Sequence, residues 1–107
     1  VEELKKLVRI PSVSFPGFPP EKVRDSAKAV AALLAKDGFE NVQLLELGDA
    51  PPYVYGDWLH APGKPTLLLY AHHDVQPPGR EALWNVAPVV RSHRAIASQA
   101  GWRNAPC

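Results

Sequence analysis

The chain has 107 residues, 46% of them hydrophobic and 21% charged, a length that holds one domain or part of one and excludes two independent ones. These fractions are those of ordinary globular proteins, which excludes disordered, collagenous and fibrous classes. A formal net charge of +1 is too small to steer the chain toward nucleic acid or an anionic membrane, so neither is expected as a partner.

The charge is spread unevenly. Residues 1 to 81 hold nine basic and eleven acidic side chains, whereas residues 82 to 107 hold Arg91, Arg94 and Arg103 and no acid. Because the chain opens on Val1 and contains no Met, it is expected to be a processed product or an excised piece. A lone cysteine, Cys107, forms no internal disulfide and favours a reducing compartment. The start lacks the basic-then-apolar order of a secretory signal, and a cytoplasmic location is expected. The longest apolar run, Ala29 to Ala35, is far below the roughly 20 residues that span a bilayer.

In chain order, Leu4, Leu7 and Val8 recur at i, i+3 and i+4 among charged residues, which predicts a short amphipathic helix that Pro11 stops. Residues Pro11 to Pro20 hold four prolines, two serines and a glycine and read as a crossing loop. Pro19-Pro20-Glu21 opens a second helix with Val23, Ala27, Val30, Ala31 and Leu34 on one face, and Gly38 ends it. Val42, Leu44, Leu45 and Leu47 predict one strand, Tyr53, Val54 and Tyr55 another, with Gly48 to Pro52 as the turn. After a turn at Ala61 to Pro65, Thr66 to Ala71 is apolar on both faces and predicts a buried central strand ending at His72-His73-Asp74. The 12 prolines, about twice the usual share, sit at turns, and the chain contains no repeat and no low-complexity tract.

On a strand, His72 and Asp74 project to one side and His73 to the other. An imidazole binds zinc through one nitrogen while a nearby carboxylate holds the other ring N–H, so His72 is the candidate metal ligand and Asp74 its orienting partner. The C-terminal edge of an inner strand is also where open α/β sheets place ligands. The bland reading of the triplet alone is a hydrogen-bonded structural histidine, since short patterns arise by chance.

The surrounding segments are more specific. Leu7-Val8-Arg9-Ile10-Pro11-Ser12-Val13-Ser14, then Leu67 through Pro77, then Gly79-Arg80-Glu81-Ala82-Leu83-Trp84 resemble the beginning of a zinc metallopeptidase of the carboxypeptidase G, acetylornithine deacetylase and carnosine dipeptidase superfamily, with the dipeptidase branch nearest. The resemblance covers residues 1 to about 88. It implies an α/β fold, the N-terminal part of a co-catalytic zinc peptidase domain with helices packed on a partial mixed sheet. It further implies an inserted lid or dimerisation domain in the intact parent, two zinc ions, a short peptide substrate and homodimeric assembly. By the same resemblance His72 is a ligand to one metal and Asp74 is the catalytic-site acid that supports it, while His73 occupies a variable position. The activity implied is hydrolysis of a peptide or amide bond by metal-activated water.

The family pattern then requires a bridging aspartate, a glutamate base with a ligand glutamate, a further acid and a late histidine. Residues 82 to 107 contain no Asp or Glu, so this chain alone is expected to be inactive. Two segments are accordingly delimited: 1–88 as the N-terminal portion of the catalytic domain, and 89–107 as a divergent tail. The tail is either foreign sequence from a shifted reading frame, the preferred reading, or a true divergent end, and order is not expected there. The alternative from another class is a non-catalytic remnant that binds no metal and serves as an interaction or subunit fragment.

Other residues carry blander readings. His60 and His93 are read as surface or capping residues, Trp84 as partial core, and Arg91 to Arg94 as a solvated face. Ser12 and Ser14 lack a Gly-x-Ser-x-Gly elbow and are not read as nucleophiles. Truncation is expected to leave Thr66 to Ala71 as an aggregation-prone edge.

Overall fold

A computed structural model describes residues 1–80 of the chain. The first helix, α1 (Glu2–Val8), places Glu2 and Glu3 in its first turn and Lys5 and Lys6 in its last, each matched to the dipole end it faces. It stops ahead of Pro11, with the Ile10 N–H donating to the Leu7 carbonyl at 3.0 Å. None of its residues is buried.

The loop that follows turns at Gly17 (φ 94°), where the Phe18 N–H donates to the Phe15 carbonyl at 3.1 Å. Although it is a loop, it carries two buried residues, Ser12 and Val13. Helix α2 (Pro20–Lys36) has proline in its first turn, where a missing N–H leaves no bond unmade. At its other end the Phe39 N–H donates to the Leu34 carbonyl (3.0 Å) and the Gly38 N–H to the Ala35 carbonyl (3.2 Å). With Gly38 at φ 88°, this pair of bonds is a Schellman motif, which a residue with a Cβ adopts only under strain.

Strands β1 (Glu40–Leu45) and β2 (Tyr53–Asp57) form a two-stranded antiparallel sheet. Leu45 lies opposite Tyr53, Leu44 opposite Val54 and Gln43 opposite Tyr55, but Glu40 lies opposite Asp57, so one extra residue is inserted in β1. Asn41, at φ 50°, takes the left-handed conformation there. Helix α2 packs on both strands and on α1. The buried apolar side chains among the described residues are Val13, Val23 and Ala27, together with the ring of Pro52. Gly56 is the point of closest approach between layers: a Cβ on it would lie 3.3 Å from Val42 Cγ2 and 3.4 Å from Leu34 Cδ1.

Both expected helices, the hairpin and the turns at 48–52 and 61–65 are present, the last closed by the Lys64 N–H on the Ala61 carbonyl at 3.1 Å. Leu47 lies beyond the end of β1 and is 78% exposed.

The expected inner strand at Thr66 to Ala71 is the main correction. Residues 66–80 carry no regular element, and Leu67, Leu68, Leu69 and Tyr70 are 79–87% exposed. A segment apolar on both faces becomes a strand only when neighbours take its N–H and C=O groups and layers cover both sides. Among the described residues the hairpin supplies neither, and the sheet is antiparallel rather than mixed. No described helix is long and apolar enough to cross a membrane. The segment 89–107 and the end of the 1–88 portion lie outside the described residues.

Two outcomes are expected from this packing. Gly56→Val forces branched carbons between Leu34 and Val42 and should lower the unfolding free energy by about 1–3 kcal/mol in urea titrations. The Lys36 ammonium, which bonds Glu3, holds that carboxyl below its usual value, first by the hydrogen bond and then by charge. A carboxyl lowered on folding stabilises the fold above its ordinary titration range and loses that effect as pH falls through its folded value. Carboxyl-detected NMR should therefore find the Glu3 midpoint below the ordinary one, and Lys36→Ala should return it.

Candidate metal centre

The segment His72–Val75 is held by serine side chains from two other parts of the chain. Ser26, on α2 and fully buried, places its hydroxyl 3.0 Å from the His73 carbonyl oxygen and 3.2 Å from His73 Nδ1. Ser12, also fully buried, donates toward the same carbonyl at 3.5 Å, and its own carbonyl accepts the Val75 N–H at 3.1 Å. His73 Nε2 sits 3.4 Å from the carbonyl of Pro52, a buried residue. His73 is thus held by three partners, Ser12, Ser26 and Pro52.

His72 and Asp74 are brought together. His72 Nδ1 lies 3.0 Å from Asp74 Oδ1 and 3.2 Å from the Asp74 main-chain oxygen. Asp74 Oδ2 accepts a hydrogen bond from the Ser14 hydroxyl. That bond, and secondarily the bond to His72, holds the Asp74 carboxyl below the usual carboxylate range against the opposing effect of partial burial. An ionised carboxylate and a carbonyl oxygen only accept, so Nδ1 of His72 is the donor and carries the proton. The Nε2 lone pair is then free for a ligand, on a side chain that is 71% exposed while that of Asp74 is 25% exposed.

This is the arrangement in which an imidazole ligates a metal: one nitrogen available, the other fixed by a carboxylate. The described residues fit one such ligand and its partner. They contain no group of three or more His, Cys, Asp or Glu side chains able to enclose an ion.

Ser14, His72, His73 and Asp74 form the polar end of an open cleft of about 660 Å³ whose apolar walls include Leu7, Val30, Leu34 and Val54. The sequence pattern marks His72 and Asp74. It gives Ser12, Ser14 and Ser26 no role, because their partners lie 61, 60 and 47 residues away. Burial of Ser12 in the proline-rich loop and of Ser26 on α2 is the signal that would have found those two, and burial is not written in composition; Ser14 is exposed and carries no such signal. His60 is on the surface as expected, 3.1 Å from Glu40 through Nε2 and stacked obliquely on Trp58 with ring centroids 5.1 Å apart. Trp84, His93, Arg91 to Arg94 and Cys107 lie outside the described residues.

Comparison with known proteins gives the same direction. The chain is 37% identical over 99 residues to the Cys-Gly metallodipeptidase DUG1 of Candida albicans, an overlap of 82% of this chain and 20% of that protein. It is 32% identical over 96 residues to Cys-Gly metallodipeptidase DUG1 of Saccharomyces cerevisiae, 79% of this chain and 20% of that one. Its counterpart in Schizosaccharomyces pombe is 33% identical over 97 residues. The chain is related to metallodipeptidases. It spans about a fifth of the length of these relatives. No family model and no solved structure matches it.

The serine contacts define an expected outcome. Ser26→Ala removes the hydroxyl from a fully buried site and leaves the His73 carbonyl and ring short of a partner. The unfolding free energy should fall by about 1–3 kcal/mol, and the His73 ring resonances should move in NMR spectra.

Proposed function

We propose that this chain is the N-terminal portion of a zinc-dependent dipeptidase-like metallopeptidase, in which His72 supplies one metal ligand through Nε2 and Asp74 fixes its ring. The observation that carries this reading is the His72 Nδ1 to Asp74 Oδ1 contact of 3.0 Å, which leaves the second ring nitrogen available. Relatives that are metallodipeptidases by name support it. What zinc supplies in such hydrolases is positive charge to polarise a carbonyl and to make water a stronger acid, with two ions in the intact family. The part played by the present residues is to hold an imidazole in one tautomer at the rim of a cleft.

In this reading the substrate of the whole enzyme is a short peptide, with Cys-Gly the first to try. The whole enzyme is a cytoplasmic homodimer. The 107 residues alone are inactive, because residues 82–107 have no carboxylate to bridge two ions. The tail from residue 89 is read as out-of-frame sequence, and a gene that continues a Gly-Arg-Gly-Asp-Asp motif in another frame past Val90 would bear this out. Absence of that continuation would leave the tail a divergent end.

The decisive experiment is a chimera. Residues 1–80 of this chain replace the corresponding segment of the Candida albicans metallodipeptidase, and Cys-Gly hydrolysis is measured with zinc present. The chimera should turn over Cys-Gly. Asp74→Ala should reduce its activity about 10–100-fold, and His72→Ala more than that. A chimera that folds and hydrolyses Cys-Gly equally well with His72→Ala would reject the assignment. The 107-residue chain itself should show no hydrolysis, and zinc calorimetry should show no tight binding of two ions.

A further inference from the structure

We propose that Ser14 is a positioning residue for the metal ligand: its hydroxyl fixes the Asp74 carboxylate so that the proton stays on His72 Nδ1 and the lone pair on Nε2. The inference rests on the reading of His72 as a ligand, and it assigns a role to a residue whose type and spacing carry no metal signature.

His72 has little else to hold it. Its side chain is 71% exposed and lies in a segment without regular structure, so neither packing nor a strand ladder sets the ring. Its orientation depends on the two acceptors at Nδ1, both of them from Asp74. A carboxylate at the end of a rotatable bond holds a ring only as firmly as it is itself held. Here Oδ2 is occupied by the Ser14 hydroxyl, which leaves Oδ1 for the imidazole.

Ser14 is in turn well anchored. Its neighbour Val13 is 5% exposed and Ser12 is fully buried, with the Ser12 carbonyl bonded to the Val75 N–H at 3.1 Å. The loop is therefore tied on one side of Asp74 by the main chain and on the other by the Ser14 side chain. Ser14 itself is exposed and contributes little to the core, so its hydroxyl can be removed without emptying a cavity. A donor to an ionised carboxylate makes one of the stronger hydrogen bonds available to a neutral side chain.

The test compares Ser14→Thr with Ser14→Val, two side chains of the same shape that differ in the hydroxyl. In the metal-free, 15N-labelled 107-residue chain, long-range 1H–15N spectra report the His72 tautomer. The parent and Ser14→Thr should show mainly the Nδ1–H form, while Ser14→Val should shift the ratio toward Nε2–H by about five- to tenfold, as loss of one ordinary hydrogen bond allows. Ser14→Ala, read the same way, controls for any disturbance of the loop by branched side chains, and circular dichroism confirms folding. Equal tautomer ratios in folded Ser14→Thr, Ser14→Val and Ser14→Ala would overturn the proposal.

A second arm places the same variants in the Candida albicans chimera, which supplies the remaining ligands, adds zinc and follows the His72 ring protons. Half-saturation should need about tenfold more zinc in Ser14→Val than in Ser14→Thr. If zinc leaves His72 unmoved in every variant while the tautomer still responds to the hydroxyl, the metal reading fails and the positioning role stands.

Discussion

Two buried hydroxyls sharing one carbonyl oxygen organise this molecule. A serine hydroxyl taken fully out of water is unfavourable unless it is hydrogen-bonded, and Ser12 and Ser26 meet that requirement at the His73 oxygen. The contact joins the proline-rich loop, α2 and the segment after residue 71, three stretches that share no sheet and no helix. His73 is tied by main chain and ring together, and beside it His72 and Asp74 meet each other at the same cleft. The His72–Asp74 contact forms in a segment without regular structure, so strand alternation is not its cause.

The elements written clearly in the sequence are those whose cause is local. Proline in the first turn of α2, Gly38 just past its end, and apolar spacing between them fix that helix with no reference to the rest of the chain. The hairpin is similar, since Gly48 to Pro52 bring two β-forming stretches into register within a few residues. Thr66 to Ala71 misleads for the opposite reason. Its composition is that of an inner strand, but a strand is a pairing relation, and β1 and β2 pair only with each other among the described residues. The result is a run of leucines facing solvent, with the apolar character of an interior and the accessibility of a surface.

The candidate site divides along the same line. The imidazole and carboxylate of His72 and Asp74 are two residues apart, so their partnership is readable from the triplet. Ser14 is 60 residues from Asp74, and serine in a proline-rich loop has many local uses. Nothing in its type or spacing separates this serine from those others. Only the closing of the loop against residue 75 brings it to the carboxylate. The ligand is thus legible from chemistry, and what steadies the ligand is legible from topology alone.

The inserted residue in β1 settles the polarity of the two sides of the hairpin. In an unbroken ladder Glu40 would share a side with Val42 and Leu44, the side that meets α2. Instead Asn41 takes a left-handed turn, Glu40 falls opposite Asp57, and both carboxylates point away from the helix. Like charges set across from one another would repel, yet each has its own answer: His60 lies 3.1 Å from Glu40, while Asn41 and Tyr55 donate to Asp57 at 2.9–3.0 Å. One additional backbone unit thereby gives α2 a neutral seat and sets Glu40 and Asp57 on the outer side of the hairpin, each with its own hydrogen-bond partners.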